Sequence, residues 1–594
     1  MWPFSSSNTA VIAAKRQQQV QALEGSANAN AALDGDQGQY LKATAPEIVS
    51  RIQSGEWTAS RVLEAYIARA AFAHSKTNCL TEVFFDRARE RAKELDAYFA
   101  ETGKLKGPLH GVPISIKDQF KIEGLDGSIG FSNWLNQPAT SNADIIKYLL
   151  DAGAVLYVKT NVPQTMFAFE CSNPVFGRTT NPYNDAYTCG GSSGGEGALI
   201  ALDGSPLGIG TDIGGSLRIP ATYCGIYSLK PGYGRISYFG ARGPVPGFDG
   251  IRTVAGPMGR SVEDLVLLSR TVFGLPGTAN DIPPVPFKDV TLPAKLKFGY
   301  YTSGMREWAP SYFLYPFPLC VSDGYIKASP TCKRAVLETV EALRKQGHEC
   351  VEVELPDISE ACNIFVGLTS SDGYKTMLSN LGPDKKEPAL FLVTLGPKLP
   401  SFVRGFAAWV LETFMGDKTF SDTIRSARVK GVDEYWALSA ARDAFALKFQ
   451  EQVLNKYQVD GIIAPVQALP QLPHGGCDNF SALAIGTILY NVLDLPVGCL
   501  PATRVDPAKD QITKEWESEP GHGSTVFEKG IYYGKKKLYD PESAKGMPVN
   551  IQIAGRKWED EKVLAMMKVV DEALGKERGF GPGAYDKWAG GESQ

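Results

Sequence analysis

The sequence predicts an α/β protein organised around a mixed sheet with crossover helices. Three observations predict it. Short apolar runs of strand length alternate with longer runs whose apolar residues recur every three or four positions, from Ala45 to Leu574. The chain has 594 residues, 43% hydrophobic and 21% charged, which is ample for a large core. No internal repeat divides it into stacked or bladed units.

Residues 1–44 read as a flexible tail. Gln17–Glu24 is long enough for two helical turns, and Gly25–Gly38 is rich in Ala, Asn, Asp and Gly. From Ala45 the period is helical: Ile48 and Ile52, then Val62, Ala65, Tyr66 and Ala70, with Gly55 separating two helices. Residues 86–99 make a charged amphipathic helix. Pro108–Pro113 is a turn and Ile114–Lys117 a short strand. Asp144–Ala152 is a helix followed by a strand at Val155–Lys159, and residues 196–210 repeat that helix-to-strand order before a strand at 226–230. Ser261 starts a helix with Glu263 and Asp264 in its first turn, where acidic side chains suit the dipole. The proline-rich 281–293 links two halves. The second half gives strands at 296–301, 350–353, 459–464 and 548–554, and helices at 331–346, 433–457 and 562–574. Residues 45–575 form one unit with an apolar segment at 388–416, and 576–594 is a frayed tail.

Charge and cysteine usage exclude several classes. The 61 basic and 65 acidic side chains leave a net charge of −4, which argues against a nucleic-acid partner. Ten cysteines lack C-x-x-C pairs or histidines at zinc spacing, so they read as reduced, buried thiols with no metal. No basic leader with an apolar core opens the chain. No apolar run approaches the ~18 residues of a spanning helix, so the expected location is intracellular, cytoplasmic or peripheral on the cytoplasmic face of a membrane.

Chemistry concentrates between Gly190 and Pro231, where Ser192, Ser193 and Ser216 sit among glycines that let a ligand approach backbone N–H groups. The phosphate-loop pattern needs a lysine after the glycines, and none follows; the dinucleotide pattern lacks its third glycine. Gly190-Gly-Ser192-Ser-Gly194 matches the nucleophile elbow of α/β-hydrolases, which requires a positioned histidine. The chain has five histidines, of which His474 lies in a turn. Lysine is the other base available. Lys117 ends an apolar strand; if it is buried, desolvation lowers its pKa toward neutrality and makes a proton acceptor of it. The alternative is a strand-end lysine reaching solvent. The residues alone leave both readings open.

The full pattern is more specific. GGSSGGEGA, GTDIGGS with Arg218 and Pro220-Ala221 following, and Leu229-Lys230-Pro231, together with Gly111-Val-Pro-Ile-Ser-Ile-Lys117-Asp118 upstream, resemble the amidase signature family. The resemblance runs from about Ala45 to about Leu574. It is nearest to fatty acid amide hydrolases through residues 160–174 and 489–496. It implies a large mixed, mostly parallel central sheet covered by helices on both faces, and a serine amidase needing no cofactor. Ser216 then resembles the nucleophile, Ser192 a bridging serine on a cis Gly191–Ser192 peptide, and Lys117 the base. The N–H groups of Ile213, Gly214, Gly215 and Ser216 would form the oxyanion hole. Asp212 and Arg218 read as an ion pair that fixes the loop.

The resemblance places Met166, Phe167 and Phe169 on an acyl channel, with Thr487 in a further matching segment; as plain apolar residues the first three would equally serve a core. In 388–416, Phe402, Phe406, Val410 and Phe414 recur every four residues beside Lys398, Arg404 and Trp409. That pattern suits a helix lying monotopically in a membrane interface, an oligomer face such as a homodimer's, or a core helix. The expected reaction is hydrolysis of fatty acid amides, such as N-acylethanolamines or primary fatty amides, to acid and amine. The alternatives are a small-amide amidase of the acetamidase type and an esterase using Ser192 or Ser193 with a histidine. The aromatic run 308–317 is expected at the same entrance.

Overall fold

The computed structural model describes residues 8–24, 38–279, 282–302, 325–519 and 521–591. The expected aromatic run 308–317 lies outside them. The strands are β1 Leu80–Val83, β2 Pro113–Lys117, β3 Val155–Thr160, β4 Ser172–Asn173, β5 Gly177–Arg178, β6 Leu207–Asp212, β7 Tyr227–Lys230, β8 Val254–Gly259, β9 Lys297–Tyr300, β10 Glu349–Glu352, β11 Gly461–Pro465, β12 Val497–Arg504 and β13 Pro548–Ala554. β4 and β5 form a small hairpin. The other strands form one 11-stranded sheet in the order β1-β3-β2-β6-β8-β7-β12-β13-β11-β9-β10.

The sheet is mixed. Parallel pairing joins β3, β2 and β6 on one flank and β11, β9 and β10 on the other. The strands between them, and the edge strand β1, pair antiparallel. Parallel pairing needs a crossover of a dozen or more residues, usually helical. The helix Asp144–Asp151 crosses between β2 and β3, and the helix Pro330–Lys345 between β9 and β10. β12 and β13 run antiparallel, although the connection between them carries the helices Lys514–Ser518 and Thr525–Tyr532.

β2 occupies the position that matters most. Its five residues are all buried, between two parallel neighbours, with Ile116 level with Lys159 and Ile209. Alternation along a strand puts Ser115 and Lys117 on one face. Helix Gly194–Ala201 packs on that face and brings Glu196 to the Ser115 hydroxyl at 2.5 Å. A Cβ on Gly208 would lie 1.9 Å from Glu196 Oε2, so only glycine fits beneath this helix.

Both termini differ from the expected loose tails. Thr9–Glu24 is a helix without an apolar stripe, and it docks mainly through polar groups. Lys15 bridges Glu82 at 2.6 Å and Asp126 at 3.0 Å, and Gln19 Nε2 donates to the Leu80 and Thr81 carbonyls of edge strand β1. Val11 and Ile12 add a small apolar contact with Leu135, Val175 and Phe176. At the other end, Ala584–Ala589 is helical, with Tyr585 buried, Trp588 edge-on to Tyr183 and Asp586 2.6 Å from Arg69. The helix expected at 433–457 runs Val432–Phe449 and continues as a wider turn, Gln450–Asn455. No helix among the described residues is long and apolar enough to cross a membrane. Among the described residues, nine cysteines are buried, and no group of three or more His, Cys, Asp and Glu side chains is placed to hold a metal.

Candidate active site

The end of β2, the loop before helix Gly194–Ala201 and the loop after β6 meet at one point. Lys117 Nζ lies 2.8 Å from Ser192 Oγ and 2.8 Å from Thr211 Oγ1, and the lysine has no exposed surface. Burial lowers its pKa from 10.5 to about 7, although the carboxylate of Asp212 pulls the other way. The solvent-reaching alternative for Lys117 is therefore excluded. The Gly191–Ser192 peptide is cis. Ser192 and Ser216 border one cavity of about 660 Å³, whose walls include Gln119, Thr211, Tyr238 and Arg242. Ser216 also borders a second, apolar cavity.

The loop carrying Ser216 is fixed from beneath. Asp212 accepts from the Gly215 N–H at 2.8 Å and the Leu217 N–H at 3.1 Å, from Arg218 through Nε and a terminal nitrogen at 3.1 Å each, and from Asn491 at 2.8 Å. Burial alone would raise the Asp212 pKa, yet Arg218 and these donors hold it down to about 2. Neither partner has exposed surface. The ion pair expected from the sequence is present and shapes the bend.

That bend corrects one expectation. The Gly215 N–H already serves Asp212, so it cannot also serve an oxyanion. The N–H groups of Ile213, Gly214 and Ser216 make no hydrogen bond among the described residues, and all three residues border the apolar cavity. Three preorganised donors at one bend suit an anion that develops during reaction. Thr487 is a second correction. It is buried and absent from the cavity wall, and its hydroxyl bonds the Gly214 carbonyl at 2.7 Å and the Ala484 carbonyl at 2.8 Å. Gly215 has φ +126°, and a Cβ there would lie 2.3 Å from the Thr487 hydroxyl. Thr487 thus shapes the bend, and its neighbour Ile488 lines the cavity.

Met166, Phe167 and Phe169 all line the apolar cavity. Thr165 and Met166 hold positive φ, 68° and 58°, an uncommon backbone for side chains of this kind. They turn Phe167 to face Phe365, with ring centroids 6.2 Å apart, and Tyr374, at 5.8 Å. Phe167 and Tyr374 border both cavities and divide them.

None of the five histidines bonds a serine of the glycine-rich loops. His74, His110 and His348 accept backbone N–H groups of Leu80, Lys106 and Leu296, while His474 and His522 pair with Glu170 and Glu528. A serine–histidine esterase has no base here.

Sequence reasoning missed Glu196, Thr211, Gln119 and Tyr238. Glu196 has no exposed surface and accepts from Ser115 at 2.5 Å and Thr160 at 2.7 Å; burial raises its pKa to about 7. A glutamate inside an otherwise apolar helix is the signal that could have found it. The pH dependence follows. If Lys117 serves as the base, kcat/KM rises with pH through about 7 and then levels. The Glu196 carboxylate favours the ammonium, so Glu196→Gln is expected to move that limb to lower pH in a kcat/KM–pH profile. A limb that stays in place or moves upward contradicts the link.

Comparison with known proteins gives concordant matches. The amidase family model matches residues 61–312 and 317–564. The chain is 32% identical over 554 residues to fatty-acid amide hydrolase 1 of Sus scrofa, covering 91% of this chain and 87% of that protein. It is 31% identical over 547 residues to an acetamidase of Emericella nidulans, covering 90% of each. Among solved structures, a fatty acid amide hydrolase superposes with a TM-score of 0.75 at 28% identity, over 90% of this chain and 86% of that one.

Proposed function

The chain belongs to the amidase signature family, and from that premise we propose that it hydrolyses amides of long apolar acyl groups through Lys117, Ser192 and Ser216. Ser216 attacks the amide carbonyl as nucleophile. Ser192 takes its proton and passes its own to Lys117, and a proton returns by the same path to the departing amine. The oxyanion is held by the N–H groups of Ile213, Gly214 and Ser216. A hydroxyl suits the middle position because it donates and accepts at once.

The observation that carries the acyl assignment is the apolar cavity at Ser216. It measures about 340 Å³ and is walled by Phe169, Ile219, Phe365, Phe420, Ile488 and Phe527 among others. Leu392, Val393 and Leu399 of the segment 388–416 close it from outside. The same segment turns the other way in its helix Ser401–Met415, where Phe402 is 76%, Phe406 64% and Phe414 72% exposed. We read this helix as a monotopic membrane contact beside the acyl entrance, with Trp409 packed against Phe406 and Phe414. A substrate dissolved in lipid would then reach Ser216 without crossing water.

Each methylene buried in the cavity is worth about 0.8 kcal/mol, roughly fourfold in kcat/KM. Oleamide is therefore expected to exceed acetamide in kcat/KM by at least about 100-fold. Equal values would favour the second reading, a small-amide amidase, which the similarity to acetamidases supports. Flotation with anionic liposomes is expected to carry the wild type upward. Replacing Phe402, Phe406 and Phe414 together by serine should leave the protein at the bottom of the gradient while soluble short-chain amides are still cleaved. Retained flotation would assign that face to another copy of the chain or to another partner.

A further inference from the structure

We propose that Thr211 and Gln119 are positioning residues that keep the single lone pair of Lys117 aimed at Ser192. A neutral amine has one lone pair and two N–H groups. Lys117 has two hydroxyl neighbours at the same distance, 2.8 Å, and either could donate into that lone pair. If Thr211 did so, Lys117 could accept nothing from Ser192 and the base would be idle.

The surroundings of Thr211 prevent this. Its one hydroxyl hydrogen goes to Gln119 Oε1 at 2.6 Å, and Gln119 Nε2 in turn donates to the Tyr238 hydroxyl at 2.5 Å. Donation therefore runs one way, from Lys117 to Thr211 to Gln119 to Tyr238. The only hydrogen left for the lone pair is that of Ser192. Gln119 has no exposed surface and Thr211 3%, so the bond between them is held away from bulk solvent although both residues border the larger cavity.

The same order serves both states of the lysine. When the Ser192 O–H bond breaks and an N–H bond forms on Lys117, Ser192 takes its replacement hydrogen from Ser216 as the Ser216 oxygen attacks. The ammonium now has only N–H groups to offer. Thr211 must accept one, and its own hydrogen must go to an acceptor, which is Gln119 Oε1. With the Gln119 amide reversed, the chain would suit the neutral amine in its idle arrangement and would have to turn over at every proton transfer. The orientation present needs no rearrangement, the condition under which fixed dipoles are most effective.

The inference rests on the Lys117, Ser192 and Ser216 roles proposed above. It is tested by kcat, KM and pH profiles on one amide substrate, with melting curves, for Gln119→Met, Gln119→Glu, Thr211→Val and Thr211→Ser. Gln119→Met and Thr211→Val are expected to lower kcat by roughly 10- to 100-fold with KM nearly unchanged, as for a misaimed reacting group. A carboxylate at 119 can only accept, so it preserves the order. Gln119→Glu should move the acid limb to higher pH, because an added negative charge favours the ammonium, and should recover nearly full kcat on its alkaline plateau. Thr211→Ser should stay close to wild type. If Gln119→Met fails to fold, the Thr211 pair carries the test alone. The idea is overturned if Gln119→Met and Thr211→Val keep wild-type kcat and limb, or if Gln119→Glu has no better plateau than Gln119→Met. Lys117→Ala is run alongside: inactive Lys117→Ala with fully active Gln119→Met removes only this inference, whereas active Lys117→Ala removes the catalytic reading beneath it.

Discussion

Ser216→Ala is expected to lower kcat on an amide substrate by roughly 10⁴-fold or more while the melting temperature stays within a few degrees of wild type. The side chain is a small one at a cavity edge, and its hydroxyl supports no other element: the bend is held by Asp212, Arg218 and Thr487. Lys117→Ala should fall by a comparable factor, because the rest of the relay then has no base. Lys117 is buried with a pKa near 7 against 10.5 in the unfolded chain. The unfolded state thus holds more protons between those values, and native stability rises with pH across that window. In Lys117→Ala the Lys117 share of this rise should disappear, leaving the part that comes from Lys230 and Lys430, which burial lowers to about 8. Labelling by a fluorophosphonate, which needs an activated serine, gives an independent readout. Substantial turnover by folded Ser216→Ala would remove the nucleophile assignment, and an unaltered stability–pH curve in Lys117→Ala would contradict the burial of the amine.

The parts of the site that were legible in the sequence are those written locally. Ser192 and Ser216 are marked by glycines on either side, and Lys117 by the apolar strand it ends. Asp212 and Arg218 lie six residues apart and could be paired on the page. What stayed hidden depends on register between distant strands. Gln119 meets Thr211 only because β2 runs parallel beside β6 with Ser115 level with Gly208. Thr487 reaches Gly214 across the whole second half of the chain, so the sequence could propose it near the site yet not say which side of the loop it supports. The Gly215 N–H looked equivalent to its neighbours until the Asp212 carboxylate was placed under it. The extent of parallel pairing was equally out of reach, since helix–strand alternation does not say which strands become neighbours. The helix Thr9–Glu24 escaped for another reason. Its docking uses Lys15, Arg16 and Gln19 against carboxylates and backbone carbonyls, and periodicity of apolar residues cannot register that kind of contact.

Arg218→Met should produce the largest loss of stability among single changes at the site, about 3–5 kcal/mol, because it leaves Asp212 buried without its cation. The size follows from burial of both partners; exposed pairs such as Arg51–Glu56 are worth a fraction of that. The sign of the pH dependence gives a sharper test than the size. In the wild type the Asp212 pKa is about 2, below the ordinary 3.8. Its contribution is present above the unfolded value and is lost only as pH falls toward 2. Without Arg218, burial acts against the carboxylate with less opposition, and the folded pKa rises. The native state of the variant then holds a proton that the unfolded state has already released, so stability falls as pH increases. The loss of urea midpoint in Arg218→Met relative to wild type should accordingly be smaller at pH 5 than at pH 8, whereas loss of an exposed charge would leave that difference nearly constant. Asp212→Asn combined with Arg218→Met should recover part of the stability and none of the activity, since the neutral pair relieves the buried charge but no longer bends the Ser216 loop. A single variant as stable as wild type at both pH values would mean that the ion pair does not hold the bend beside which the N–H groups of Ile213, Gly214 and Ser216 lie.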